Sequence, residues 1–295
     1  MSIFIASLGF GLVTASIIAI GSMGFTLQFG LTNVLNISFG AMMTFGAMGS
    51  LVAEKLGASM WIVVLVAPIV GALATVAVGR LVFPIFSRRG SGLFEMVMVT
   101  LAIDLLLQYL VNAVDHEQIF SFNFPSGHSF HFGPIVLTVT QLSIIAGAIL
   151  LFVGLESLLR RTRLGKALRA MAGEPRLARA CGVPTGRIVN VTWIISGALA
   201  GLAGLVYMMN SLTVDAFTGA NFLPLVLGAA ILGRAGSTVG AVVAALAMGM
   251  ATEIAGAFGG SAYSTVAGFG LLAIVLLTRP GGLIGDTLLK EEVTL

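Results

Sequence analysis

Long apolar runs separated by short polar intervals dominate the chain, and within each run the apolar character is continuous rather than alternating. The first run covers 8–29 and ends at Gly30-Leu31-Thr32-Asn33; the second covers 34–53 and ends at Glu54-Lys55. Further runs occupy 61–83, 93–113, 134–155, 188–209, 222–232, 239–257 and 265–277. The hydrocarbon core of a bilayer is about 30 Å thick and takes about 20 apolar helical residues to cross. Backbone amides cannot be left unpaired in lipid, so only helices and closed barrels span it, and barrel strands alternate apolar with polar. The runs therefore predict helices. The 53 residues before Glu54 carry no charge and would make roughly 80 Å of helix at about 1.5 Å per residue, so the chain crosses more than once there. The run 222–232 is too short to span and predicts a broken or re-entrant segment. The expected fold class is all-α: a polytopic transmembrane helical bundle of about eight to ten spans, in a single domain over 1–295.

Composition excludes the ordinary soluble class: 58% of residues are hydrophobic and 9% charged, with a mean hydropathy of +1.07. No Lys or Arg precedes Glu54 and no cleavage site stands out, so the first run is expected to remain as a helix. Eight Lys and Arg residues, Arg160, Arg161, Arg163, Lys166, Arg169, Arg176, Arg179 and Arg187, fall in 157–187 against Glu174 alone, a net +7 in a chain of net +3. Loops rich in Lys and Arg stay in the cytoplasm. The interval 115–133 has no Lys or Arg and is expected outside; the C-terminus comes out cytoplasmic, with Lys55 an outside exception. Nucleic acid is not expected as a partner, since the positive charge sits in one juxtamembrane loop without interleaved aromatics. The single cysteine, Cys181, falls in that loop and allows no internal disulfide.

Few side chains could carry chemistry. A phosphate-binding Gly-x-x-x-x-Gly-Lys-Ser/Thr is missing, because Gly165-Lys166 has Arg160 at the first glycine's place and Ala167 after it. Pro125-Ser126-Gly127-His128 matches one motif of the membrane lipid phosphatases without its companions, so His128 and Ser126 are expected to be dispensable. His128 and His131 have no convincingly spaced third ligand, and no metal site is expected. Ionisable groups within spans are more informative, each costing about 2.5–3.5 kcal/mol at a helix centre. Asp104 and Glu253 are the candidates. Asp104, Gln108 and Asn112 recur every fourth residue and are expected on one inward face, either as an interhelical clamp or as a polar pathway. Asn33, Asn36, Ser38 and Gly40 bring polar groups to the start of the second span, and Ser196, Gly197, Ala200, Gly201 and Gly204 form a small-residue stripe that invites close helix approach. Leu164, Leu168 and Met171 lie on one helical face, with Arg163, Lys166 and Arg169 on another, predicting a short amphipathic helix at the membrane surface.

Arg163-Leu164-Gly165-Lys166-Ala167-Leu168-Arg169-Ala170, then Ala178 to Gly182 and the Gly-Ala-rich run from Ser196 to Gly204, resembles the permeases of the branched-chain amino acid ABC importer family, of the LivH type. The resemblance extends to 33–40, to Leu232-Gly233-Arg234-Ala235-Gly236-Ser237 and to Arg279-Pro280-Gly281-Gly282-Leu283-Ile284-Gly285. The chain departs from the family pattern at Ser38-Phe39, where Ala-His is usual, and at Arg234, where a second Gly is usual. The resemblance implies a type II ABC importer permease in the bacterial inner membrane, moving small polar solutes inward: branched-chain or other amino acids first, urea or short amides next. It also implies a second related permease subunit, two cytoplasmic ATP-binding subunits, an external substrate-binding protein and lipid as partners. The chain is then not an enzyme and has no cofactor of its own, ATP being bound by the partner subunits. In the segment 157–187, Arg169, Glu174, Ala178, Ala180 and Gly182 would form the coupling contact with the ATPase. Asn33, Asn36, Ser38, Phe39, Asp104, Gln108, Asn112 and Glu253 are the candidate pathway residues. The competing expectation is a self-sufficient secondary transporter or channel using Asp104 and Glu253.

Overall fold

The computed structural model describes residues 2–83, 85, 92–114, 120–122, 129–132 and 135–278. Among them are eleven helices and four short strands. In chain order these are α1 (Ser2–Thr32), α2 (Phe39–Lys55), α3 (Met60–Leu81), α4 (Leu93–Val114), β1 (Phe120–Ser121), β2 (Ser129–Phe132), β3 (Ile135–Thr138), α5 (Val139–Arg161), α6 (Arg163–Gly173), α7 (Pro175–Ala180), α8 (Thr185–Ser211), β4 (Thr213–Val214), α9 (Thr218–Leu232), α10 (Thr238–Gly259) and α11 (Ser261–Thr278). Each of the nine apolar runs coincides with one helix. Six helices, α1, α3, α4, α5, α8 and α10, are long and apolar enough to cross a membrane. Helices α2 (17 residues), α9 (15 residues) and α11 (18 residues) are the shorter ones.

Two helices begin well inside the runs that predict them. Helix α2 begins at Phe39 rather than 34, because 33–38 is irregular. Helix α5 begins at Val139 rather than 134, because β-branched Ile135, Val136 and Thr138 pair as β3 with β2, Phe132 opposite Ile135 and Ser129 opposite Thr138. Thr138 then starts α5 with a capping box: its hydroxyl accepts from Gln141 N at 3.2 Å and its own N–H donates to Gln141 Oε1 at 3.1 Å.

The chain divides into two compact units, one of Leu27–Phe124 and Val153–Leu223, the other of Met1–Thr26, Pro125–Phe152 and Pro224–Leu295. In the first, α2, α3 and α8 pack backbone to backbone. A Cβ on Gly46 would lie 2.2 Å from Gly201 Cα, one on Gly71 2.3 Å from Gly197 O, one on Gly201 2.1 Å from Ala67 O and one on Gly204 1.9 Å from Met43 O. The small-residue stripe of α8 is thus the seam of this unit. Strand β1 pairs with β4 beyond the end of α8, Phe120 opposite Val214, and the Lys55 ammonium lies 4.8 Å over the Phe120 ring. The basic helices α6 and α7 precede the other end of α8, whose 27 residues extend roughly 40 Å at about 1.5 Å each.

In the second unit the first part of α1 packs on α10, where a Cβ on Gly249 would meet Ala15 at 2.4 Å. Helix α10 reverses through Gly260 (φ 93) into α11. Gly233 and Gly240 close the turn between α9 and α10 so tightly that a Cβ on Gly240 would fall 1.7 Å from Gly233 O. Arg234, in that turn, holds φ 71. Glycine occupies left-handed backbone without steric penalty whereas other residues lose about 1–2 kcal/mol there, which accounts for a glycine being usual at this position in the family that the turn resembles.

Candidate functional site

The polar segment 33–38 interrupts the apolar sequence after α1, and its backbone has to find partners within the protein. Asn33 takes the left-handed conformation (φ 53) and donates its N–H to Phe29 O at 2.7 Å, capping α1. Asn33 is exposed, while Asn36, Ser38 and Phe39 are buried. The Ser38 hydroxyl turns to Asn36 Oδ1 at 2.6 Å instead of capping α2. Helix α4 supplies the missing acceptors: Ile37 N donates to Thr100 Oγ1 at 3.2 Å and Ala41 N to Asp104 Oδ1 at 3.0 Å. Gln108 Nε2 donates to the other carboxylate oxygen of Asp104. A negative charge is thereby placed on the first turn of α2, where the helix dipole favours it.

Helix α4 consequently has its polarity inverted relative to a soluble helix. Thr100, Asp104 and Gln108 are buried, whereas Leu105, Leu106, Tyr109 and Leu110 are exposed. Asn112, expected on the same inward face, is exposed instead. At about 100° per residue a four-residue step advances by about 40°, so after two steps the row has drifted about 80° from Asp104 and left the buried face. Thr100, one step before Asp104, is the true companion, and its hydroxyl gave no signal distinguishable from ordinary helix back-bonding.

Two buried amides in this unit are only half satisfied. Gln28 Oε1 accepts from Ser196 Oγ at 3.2 Å, yet Gln28 Nε2 and Asn36 Nδ2 have no hydrogen-bond partner among the described residues. A buried unsatisfied donor costs about 1–3 kcal/mol, so both amides have donors to spare for a water or solute.

Glu253 lies in the other unit, half-buried in α10. Its Oε1 accepts from Thr14 Oγ1 of α1 at 2.6 Å, a partner that sequence spacing could not reveal. It lines a cavity of ≈ 400 Å³ together with Ser7, Phe10, Gly256 and Ser264.

The basic segment folds as expected from its periodicity. Leu168 and Met171 of α6 are buried while Arg163, Lys166 and Arg169 are exposed, and Thr162 caps the helix by accepting from Gly165 N at 3.1 Å. Arg169 turns back to donate to Leu159 O near the end of α5, a cation on a helix C-terminus. Glu174 joins α6 to α7 as an exposed linker. Helix α7 ends in a Schellman motif: Val183 N donates to Ala178 O at 3.1 Å and Gly182 N to Arg179 O at 3.0 Å, with Gly182 at φ 82. Ala180 and Gly182 are exposed but Ala178 is buried, so Ala178 packs α7 down rather than offering a contact. The most exposed apolar side chain of the segment is Leu177, between Arg176 and Arg179; sequence reading passed over it because a lone leucine in a basic helix has no distinguishing pattern. Ser126, His128 and 279–285 lie outside the described residues, as does the His131 side chain.

Fold and site together describe a polytopic helical membrane protein with a basic amphipathic segment at one end of its longest packed seam. The profile of the family described as "Branched-chain amino acid transport system / permease component" matches residues 7–277, and the chain belongs to that family. It is 29% identical over 291 residues to the high-affinity branched-chain amino acid transport system permease protein BraD of Pseudomonas aeruginosa, covering 93% of this chain and 94% of BraD. It is 26% identical over 288 residues to the LivH permease protein of Escherichia coli K12, covering 93% of each. It is 30% identical over 292 residues to the probable LivH permease protein of Methanocaldococcus jannaschii, covering 93% of this chain and 90% of that one. These relatives are transport permease components rather than enzymes. No solved structure matches the chain.

Proposed function

We propose that this chain imports branched-chain amino acids as one permease subunit of an ABC transporter in the bacterial inner membrane. ATP is hydrolysed by two cytoplasmic partner subunits, a second related permease completes the pathway, and an external binding protein delivers the solute. The observation that carries this reading is the family match along residues 7–277. The segment 157–187 supplies the docking surface for the ATPase. There Leu177 stands 62% exposed among Arg176, Arg179, Ala180 and Gly182, while Arg169 and Ala178 hold the segment's own fold. The single-domain reading of 1–295 goes with this function, with 115–133 and the C-terminus on opposite sides of the membrane.

Asp104 and Gln108 act here as the clamp that holds α2, and the pathway runs past the spare donors of Gln28 and Asn36. Buried donors of this kind suit a polar solute in passage, because they hold it weakly and need no charge in the membrane. Asn33, Ser38 and Phe39 shape that stretch, and Glu253 with its cavity belongs to the same function.

Reconstitution tests the reading. Vesicles containing this chain, its permease partner, both ATPase subunits and the binding protein are expected to take up L-leucine only with ATP. Uptake by the chain alone, without ATPase subunits, would instead establish a self-sufficient transporter or channel.

A further inference from the structure

A second cavity lies where α8 gives way to α9, within the unit built on the glycine seam. It measures ≈ 120 Å³ and is lined by Tyr207, Thr213, Val214, Asp215, Thr218 and Asn221. Asp215 is fixed in place: its Oδ1 accepts from Phe217 N at 3.0 Å and from Thr218 Oγ1 at 2.7 Å, and its own N–H donates to Thr218 Oγ1 at 2.8 Å. This turn starts α9, and it uses one carboxylate oxygen only. A neutral Asn or Ser caps a helix equally well, so the second oxygen and the negative charge are surplus to the turn. Among the described residues no Lys or Arg lies within ion-pair distance of it.

Apart from Val214, the other lining residues, Tyr207, Thr213, Thr218 and Asn221, carry uncharged hydrogen-bonding side chains. Tyr207 is held by its ring against Phe222, centroids 4.9 Å apart, and neither its hydroxyl nor the Asn221 side-chain amide is engaged in a hydrogen bond among the described residues. The lining of the cavity therefore brings together a carboxylate with one free oxygen and two neutral donors, Tyr207 half-buried and Asn221 exposed at the rim. That arrangement is complementary to a group bearing an ammonium and a carboxylate on one carbon. Its volume is well below the roughly 300–1,000 Å³ of pockets that enclose whole drug-sized ligands, which suits a small polar group.

We propose that this pocket binds the zwitterionic head of the transported amino acid, the free oxygen of Asp215 taking the ammonium group while Tyr207 and Asn221 take the carboxylate. The proposal rests on the reading that the chain carries amino acids.

The test uses the full reconstituted transporter with Cys181→Ser and Thr213→Cys, the new thiol reporting occupancy from the pocket wall. L-Leucine is expected to slow modification of that thiol by a water-soluble maleimide at least tenfold. The 2-oxo acid of leucine, which lacks the ammonium group, is expected to have no effect at the same concentration. Adding Asp215→Asn, which keeps the cap acceptor, should abolish the protection and raise the KM for leucine uptake at least tenfold while the complex still assembles. Equal protection by both compounds, protection by sodium ions alone, or none in a complex that transports leucine overturns the pocket and leaves the permease reading standing. Failure of the complete complex to transport leucine overturns both.

Discussion

Asp104 is the residue at which clamp and pathway make different predictions. Its carboxylate receives Ala41 N and Gln108 Nε2, and hydrogen bonds to charged groups contribute about 1.5–3 kcal/mol. Asp104→Leu is therefore expected to destabilise the protein by about 2 kcal/mol or more, measured as thermal unfolding of the purified chain in detergent. Asp104→Asn keeps an acceptor for Ala41 and is expected to retain both fold and transport. An Asn variant that melts normally but no longer transports would move Asp104 into the pathway. The neighbouring candidates divide by the same geometry: Asn36 is buried with a spare donor, whereas Asn33 serves the turn after α1 through its φ of 53.

At the level of elements, the α8 seam sets the strictest requirement. With Ala67 O 2.1 Å from a Cβ on Gly201 and Met43 O 1.9 Å from one on Gly204, even a methyl group forces backbones apart. Overpacking of this kind costs about 1–3 kcal/mol, so Gly201→Ala and Gly204→Ala should each lower the unfolding temperature in detergent, and Gly204→Leu should abolish recovery of folded protein. Gly186, with open space around it, should accept Ala without loss. The glycine stripe, the nine apolar runs and the amphipathic α6 were all legible in the sequence because each is a pattern contained within a single helix. What escaped depends on pairing between distant segments. Thr14 reaches Glu253 across 239 positions, Thr100 serves Ile37 across 63, and the β1 to β4 pairing that frames the Asp215 pocket joins Phe120 to Val214. The Thr138–Gln141 capping box was local and readable, but apolar neighbours on both sides hid it within a run taken as one span. Asn112 was misplaced by extending a four-residue repeat beyond the two turns over which it keeps to one face.

For the whole molecule, the lone cysteine provides a native probe of orientation. Cys181 is exposed at the end of α7, within the Arg-rich segment that the positive-inside rule assigns to the cytoplasm. A membrane-impermeant maleimide should label it in inside-out vesicles and leave it untouched on intact cells; labelling from outside would reverse the topology. The seam that makes α8 intolerant of side chains also governs how a push is transmitted through its unit. Where backbones touch, no rotamers remain between them to absorb a displacement, so α2, α3 and α8 behave as one stiff strut rather than as three sliding rods. A tilt applied at the Thr185 end, next to the basic helices α6 and α7, is then expected to carry through the seam toward Ser211 about 40 Å away. There it reaches the turn that holds Asp215, and with it the mouth of the pocket.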